Sequence, residues 1–427
     1  MIRRVVLSLL AASAVVSPAT AATVITGERM LDVETGRYVP NPAIFVDDTG
    51  HITSIADART VRWGADVKHI DLGNRTLLPG LIDMHTHLGP ADIGGYRFLE
   101  YTGSFWPAVA TSTARDMLNG GFTTMRVVGS GEWADVGLKQ AIEAGYVVGP
   151  RIVPAGHALG ATGGHCDDTY LPPELQKKEK EEGIGDSPEE LKYQVRRQRK
   201  FGAEVIKVCA TGGVFSRGDT PGQQQLTEDE LRAIADEAHM QGLRVAAHAH
   251  GASGINAAIR AGIDTIEHAS LLDDESIKLA KARKRPVWFS MDIKNTDYTQ
   301  AEGRKNGELE ENIRKDREIG QAQRDNFRKA HQAGVRMIFG SDAGVMPHAM
   351  VGQQFAVMVQ YGMTPLEAIQ AATKNASEAL GRNDVGEIQV GRYGDIVAVD
   401  GDPLRDIRVL ERPAAVVKGG ELVPPGH

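Results

Sequence analysis

Residues 77–90 read LLPGLIDMHTHLGP, an apolar run that ends in two histidines, His85 and His87. Alternate side chains of an extended chain point to the same face, so both imidazoles project together. Two adjacent imidazoles on one face suit a bound metal ion. The stretch predicts a buried strand that delivers paired ligands at its C-terminal end.

Seven more apolar, β-branched runs follow: FTTMRVV, RIVPAG, EVIKVCAT, RVAAHAH, TIEHAS, PVWFSMD and RMIFGSDAG. Amphipathic stretches lie between them, such as TEDELRAIADEAHMQG and DNFRKAHQAG, several closed by glycine. Eight alternating strand–helix units predict an α/β fold, a (β/α)8 TIM barrel, over residues 80–387. Residues 23–79 and 388–427 look different. Segments such as AIFVDDTGHITSIA and GDIVAVDGDPLRD alternate in and out between turn signals. These two ends predict one small β-sandwich built from both termini. Residues 171–200 form a highly charged insertion, read as a solvated helix with a mobile loop.

With 427 residues and 41% hydrophobic content, the chain can fill one large domain and a smaller one. A net charge of −8 argues against nucleic acid as a partner, since phosphate binding needs a basic surface. Residues 1–22, MIRRVVLSLLAASAVVSPATAA, carry Arg3 and Arg4, an apolar core, and small residues with Ala19 and Ala21 in an A-x-A pattern. They read as a secretory signal peptide cleaved after Ala21, which implies a periplasmic or secreted protein with no membrane segment after cleavage. The two cysteines, Cys166 and Cys209, form no CxxC pattern. They argue against a disulfide framework and leave a single bridge open.

Barrel chemistry sits at the C-terminal ends of the strands. Here the first strand ends in His85 and His87, the fourth carries Lys207, the fifth ends at His248, the sixth at His268 and the eighth at Asp342. Each has an ordinary reading alone. A histidine on an apolar strand is commonly satisfied in the core, and Asp342 suits a helix N-cap. A lysine is seldom buried without a partner. Together, these groups would be costly to bury at five strand ends unless a metal centre satisfied them. His157, His239 and His331 fall in strand bodies or helices and read as structural.

GLIDMHTH, EVIKV, AAHAHG, TIEHAS and GSDAG together resemble the amidohydrolase superfamily with two metals, over the whole mature chain. GGHCDD, TGGVFSRGD, AHAHG and DAGVMPH are similar to its prolidase-like and carboxypeptidase-like branch. The resemblance implies two divalent ions, with zinc foremost among the metals that suit nitrogen and oxygen ligands. It implies that His85, His87 and Asp342 hold one ion, His248 and His268 the other, and a carbamylated Lys207 bridges them. Asp342 becomes the proton carrier. His165 and His250 become groups that polarise the carbonyl or bind a substrate carboxylate, and Arg217 and His348 become further substrate contacts. Cys166, beside His165, is not needed as a nucleophile. Leu226 after Gln225 departs from the branch, where an aromatic residue is often found.

The implied reaction releases a C-terminal amino acid from N-acyl amino acids or dipeptides, including ochratoxin A to ochratoxin alpha and phenylalanine. The alternative is a lactone, cyclic amide or phosphotriester hydrolase of the same superfamily. A binding protein on an inactive barrel would need neither Asp342 nor Lys207. The resemblance also implies a homo-oligomer.

Overall fold

A computed structural model describes residues 21–176 and 182–424. The expected leader lies outside the described residues up to position 20, and Ala21 and Ala22 open the strand Ala21–Thr26.

The fold is mixed α/β. All eight runs named above form strands: β1 Leu81–Thr86, β2 Phe122–Val127, β3 Arg151–Pro154, β4 Val205–Cys209, β5 Arg244–Gly251, β6 Thr265–Leu271, β7 Trp288–Ser290 and β8 Met337–Ile338. They pair in parallel in the orders β3-β2-β1 and β4-β5-β6-β7-β8. Isolated parallel bridges, Leu159 to Val208 and Thr86 to Ala343, link one sheet to the other on both sides. Every residue of β1, β2 and β4 is buried, as expected of parallel strands covered on both faces.

Helices separate the strands and turn apolar faces inward. In the helix Glu228–Met240, the buried face includes Leu231, Ile234, Ala235 and Ala238. Burying a leucine or isoleucine stabilises by about 1.5–3 kcal/mol. Its start is fixed by a capping box of Thr227 and Glu230.

Two expectations change here. The charged insertion contains the helix Pro188–Lys200, capped by Ser187 and Pro188, with Leu191 and Val195 fully buried against the main core. It packs into the molecule as well as facing solvent; its charges mark only the outer face. Residues 177–181 of that insertion lie outside the described residues. The stretch DNFRKAHQAG is only the end of a 23-residue helix, Glu310–Gln332. Its buried face mixes Ile313, Ile319, Phe327 and Ala330 with Lys315, Asp316 and Gln323, so the apolar periodicity is interrupted before that stretch.

Both chain ends are β-rich. One sheet has the order Ile52–Asp57, Pro42–Asp47, Ala21–Thr26, Lys68–Asp71. The other runs Glu421–Leu422, Ala415–Lys418, Ile396–Val399, Thr76–Pro79, Arg29–Asp32, Arg37–Pro40. Ile396–Val399 pairs antiparallel with Thr76–Pro79, which joins the C-terminal segment to the N-terminal one. Ile25, Ile44 and Ile70 of the first sheet share a core cluster with Leu77, Ile396 and Val417 of the second.

Candidate metal centre

A cavity of about 530 Å³ opens at the C-terminal ends of the parallel strands. His85, His87, Lys207, His248, His250, His268 and Asp342 all line it, and so does His165. Three sets of side chains bring ligand atoms within 4.8 Å of one another: His85, His87 and Asp342; His248, His250 and His268; and His268, Asp292 and Asp342. These imidazole and carboxylate donors fit a divalent ion of the zinc type.

The side chains around these groups select their tautomers. His85 Nδ1 lies 2.9 Å from Glu267 Oε2. Glu267 also receives Arg126 at 2.7 Å, so it accepts the Nδ1 proton and leaves His85 Nε2 with a free lone pair. That Nε2 and His87 Nε2 each lie 3.4 Å from Asp342 Oδ1. His268 Nδ1 donates to Asp292 Oδ1 at 2.7 Å and frees its own Nε2. His248 Nε2 donates to Gly212 O at 3.2 Å, which frees Nδ1. Such carboxylate or carbonyl partners orient metal-binding imidazoles.

Burial keeps His85 and His248 well below the usual histidine range, aided by the neighbouring Lys207 and His165 charges respectively. His268 moves the other way: burial opposes its charge, but the carboxylate of Asp292 outweighs burial. Burial pushes the Lys207 ammonium down to about 8, against the pull of Glu267 and Asp342. Asp342 is held below the carboxylate range, because the surrounding histidines outweigh its burial. Two steps before His85, burial pushes the Asp83 carboxyl up to about 7; it bonds Ser341 Oγ at 2.5 Å and so braces the segment leading to Asp342.

His268, Ala269 and Asp342 adopt left-handed backbone angles, with φ of 69°, 48° and 57°. Such residues cost about 1–3 kcal/mol each and persist where the surroundings impose them. Here Asp342 N bonds His85 O at 2.8 Å, and Gln323 Nε2 holds His268 O at 3.3 Å.

His165 stacks on His248 with ring centroids 4.1 Å apart, and its Nδ1 meets Ser216 Oγ at 2.9 Å. Ser216 bonds Asp219, which receives the buried Lys315 at 3.0 Å. The hydroxyl donates to the carboxylate, so it accepts from Nδ1 and leaves His165 Nε2 as an acceptor. Desolvation lowers His165 to about 3. His250 stacks on His268 at 4.6 Å and bonds Ser270 Oγ at 2.8 Å.

Two candidates fall elsewhere. Arg217 is exposed, does not line the cavity, and hydrogen-bonds the Tyr96 hydroxyl. Its loop turns it outward, because Arg217 N is anchored on Thr169. His348 is buried and donates to His87 O at 2.7 Å, so it braces the segment just past β1 instead of meeting the cavity. Conversely, His157 lines the cavity, against the structural reading: it lies just beyond β3, edge-on to Trp133 at 4.6 Å. His239 and His331 pair with Asp264 and Glu367 and do not line the cavity.

The sequence reading missed Glu267, Asp292, Arg126 and Asn295. A usable signal was the acid directly before His268 in TIEHAS. It also missed the apolar wall of Ile93, Trp106, Val214, Phe215, Ile319 and Val345. The two cysteines are joined: Cys166 and Cys209 form a disulfide, with both residues on the cavity wall.

Comparison with known proteins gives a consistent result. The sequence model of the Amidohydrolase family matches residues 76–423. The ochratoxinase of Aspergillus niger is 35% identical over 378 residues, 81% of this chain and 75% of that protein. A crystal structure of a Xaa-Pro dipeptidase with bound methionine in its active site superposes with a TM-score of 0.87 at 32% identity, covering 94% of this chain and 100% of that one. The A. niger ochratoxinase crystal structure gives 0.81 at 28% identity, covering 94% and 95%.

Proposed function

The chain belongs to the amidohydrolase family and is a hydrolytic enzyme, and from that premise we propose that it cleaves the amide bond of N-acyl amino acids or dipeptides. The products are a C-terminal amino acid and the acyl part, and ochratoxin A is among the substrates. The observation that carries this reading is the convergence of His85, His87, Lys207, His248, His268 and Asp342 on one cavity with a broad apolar wall. The relatives support the substrate class: one is named an ochratoxinase, another a Xaa-Pro dipeptidase. The eight parallel strands are read as a closed (β/α)8 barrel over residues 80–387. The terminal sheets are read as a β-sandwich of residues 23–79 and 388–427. Residues 1–22 are read as a leader to an oxidising compartment, where a disulfide persists.

In this reading His85, His87 and Asp342 would hold one divalent ion, His248 and His268 a second, and Lys207 would serve the same centre. When bound, such ions supply Lewis acidity to water and to the scissile carbonyl. Burial lowers the Lys207 ammonium to about 8, which raises the share of neutral amine, the form that adds carbon dioxide and loses a proton to become a carbamate. That change replaces a buried cation with an anionic oxygen donor. Asp342 takes the proton of the attacking water and delivers it to the leaving nitrogen, while Asn295, 3.4 Å from its Oδ2, limits its rotation. His250 orients the carbonyl or the substrate carboxylate, and His165, whose Nε2 is an acceptor, pairs with a substrate N–H.

The test is a matched pair, an N-acyl-phenylalanine and its C-terminal amide, assayed by released product. A hydrogen bond to a charged group contributes about 1.5–3 kcal/mol, so kcat/KM should fall about tenfold or more on the amide. Equal rates would remove carboxylate recognition and favour a lactone or phosphotriester.

A further inference from the structure

The Cys166–Cys209 disulfide lies where the fold alone does not call for it. Cys209 ends β4, two residues after Lys207 and on the same face. Cys166 directly follows His165. The bond therefore ties the loop that carries His165 to the strand that carries Lys207.

Among the described residues, no hydrogen bond ties residues 161–169 to a strand. Sheet-like pairing with β4 stops at Leu159, which bonds Lys207 O and receives Cys209 N, both at 2.8 Å. Beyond it, contacts run from loop to loop: Thr162 to Asp186 at 2.8 Å, His165 N to Gln225 at 2.8 Å, and Thr169 to Arg217 N at 2.9 Å. Segments held this way open locally at low cost. The His165 ring, however, has little tolerance for movement. It is wedged between His248 and the backbone of Gly213, where an added Cβ would lie 2.3 Å from its ring atoms. Gly160 makes room for the bond itself, since a Cβ there would lie 2.9 Å from Cys166 Cβ.

We propose that this disulfide is a positioning element of the active site: it holds His165 in register over His248, and a reductant entering the cavity abolishes that register without unfolding the protein. The reduction is balanced by a phosphine. The S–S bond breaks, each sulfur takes a proton, and phosphorus takes the oxygen of one water. The activity arm of the test rests on the amide-hydrolase reading; the exchange arm does not.

The experiment uses the metal-loaded enzyme before and after tris(2-carboxyethyl)phosphine, together with Cys166→Ser/Cys209→Ser, His165→Ala and the triple variant. Thiols are counted by alkylation and mass, metal by elemental analysis, loop opening by hydrogen exchange, and turnover on an N-acyl-phenylalanine. We expect no free thiol before reduction and two after it, unchanged metal content, and exchange at least tenfold faster across residues 161–169 alone. In the same samples kcat/KM falls at least tenfold when His165 is present and does not change further when His165 is alanine. Two free thiols in the untreated protein overturn the proposal, as does unchanged exchange in the loop. Equal losses with and without His165, loss of metal, or faster exchange throughout the molecule make the bond a structural cross-link and overturn it as well. A protein inactive on every amide tried would refute the amide reading, and the exchange result would still decide this one.

Discussion

Replacing Arg126 by methionine tests the polar network beneath the metal centre. Arg126 and Glu267 are 1% and 0% exposed and meet at 2.7 Å. Arg126 also donates to Met84 O at 2.5 Å and Thr265 Oγ1 at 3.1 Å. Removing one partner of a buried ion pair costs about 3–5 kcal/mol, because the remaining charge sits unpaired in a poor solvent. The stranded acceptors push Arg126→Met toward the upper end of that range. Glu267→Gln leaves the guanidinium unpaired and costs a similar amount. The double variant removes both charges, so its cost should fall short of the sum by about 2 kcal/mol or more. A second effect reaches the site. Glu267 selects the His85 tautomer that presents Nε2, and losing such a partner lowers metal affinity by about 10–100-fold, or about 1.4–2.8 kcal/mol. Chemical denaturation of the four metal-free proteins measures the coupling, and competition with a chromogenic chelator measures the affinity. Strictly additive costs with unchanged metal affinity would refute the argument.

Elemental analysis of reconstituted protein should find two divalent ions per chain, and Lys207→Ala should lose metal and activity, with partial return of both on adding a short carboxylate; full activity in that variant would remove Lys207 from the centre. Asp342→Asn should keep most of its metal, since an amide still offers an oxygen, while kcat falls by about 10²–10⁴-fold; near-normal turnover would end its role as proton carrier. Asp264 makes a separate, pH-dependent prediction. It collects His239 at 2.8 Å, Arg285 at 2.8 Å and Val245 N at 2.8 Å. Burial opposes its charge, but these partners outweigh it and lower its pKa. The unfolded carboxyl protonates first as pH falls past about 4, so its stabilisation is complete above that value and is lost as pH falls through the lower folded one. Asp264→Asn should cost about 3 kcal/mol at pH 7 and flatten the acid limb of a stability–pH curve; a parallel curve would show that the charge is not stabilising.

The sequence alone determined the eight strands, because parallel strands covered on both faces must be continuous apolar runs, and such runs are visible in a window of a few residues. It also determined which strand ends carry the cavity-lining groups. His85 and His87 share a face by strand parity, and Lys207, His248, His268 and Asp342 stand on or just past runs of the same kind. What it could not determine were relations between distant residues. Glu267 serves His85 across 182 positions, so the acid beside His268 could be seen but not its partner, and the helix Glu310–Gln332 mixes polar with apolar residues on its buried face, so only its end showed a pattern. Arg217 and His348 look equivalent to true cavity residues in sequence, and only the path of their loops turns one to solvent and the other onto the His87 carbonyl. The cysteine pair is the same case: 43 residues separate Cys166 from Cys209. Periodicity reports which face of an element is buried, because burial repeats with the backbone. Which side chains then meet depends on how the elements pack, and the tertiary structure alone decides that.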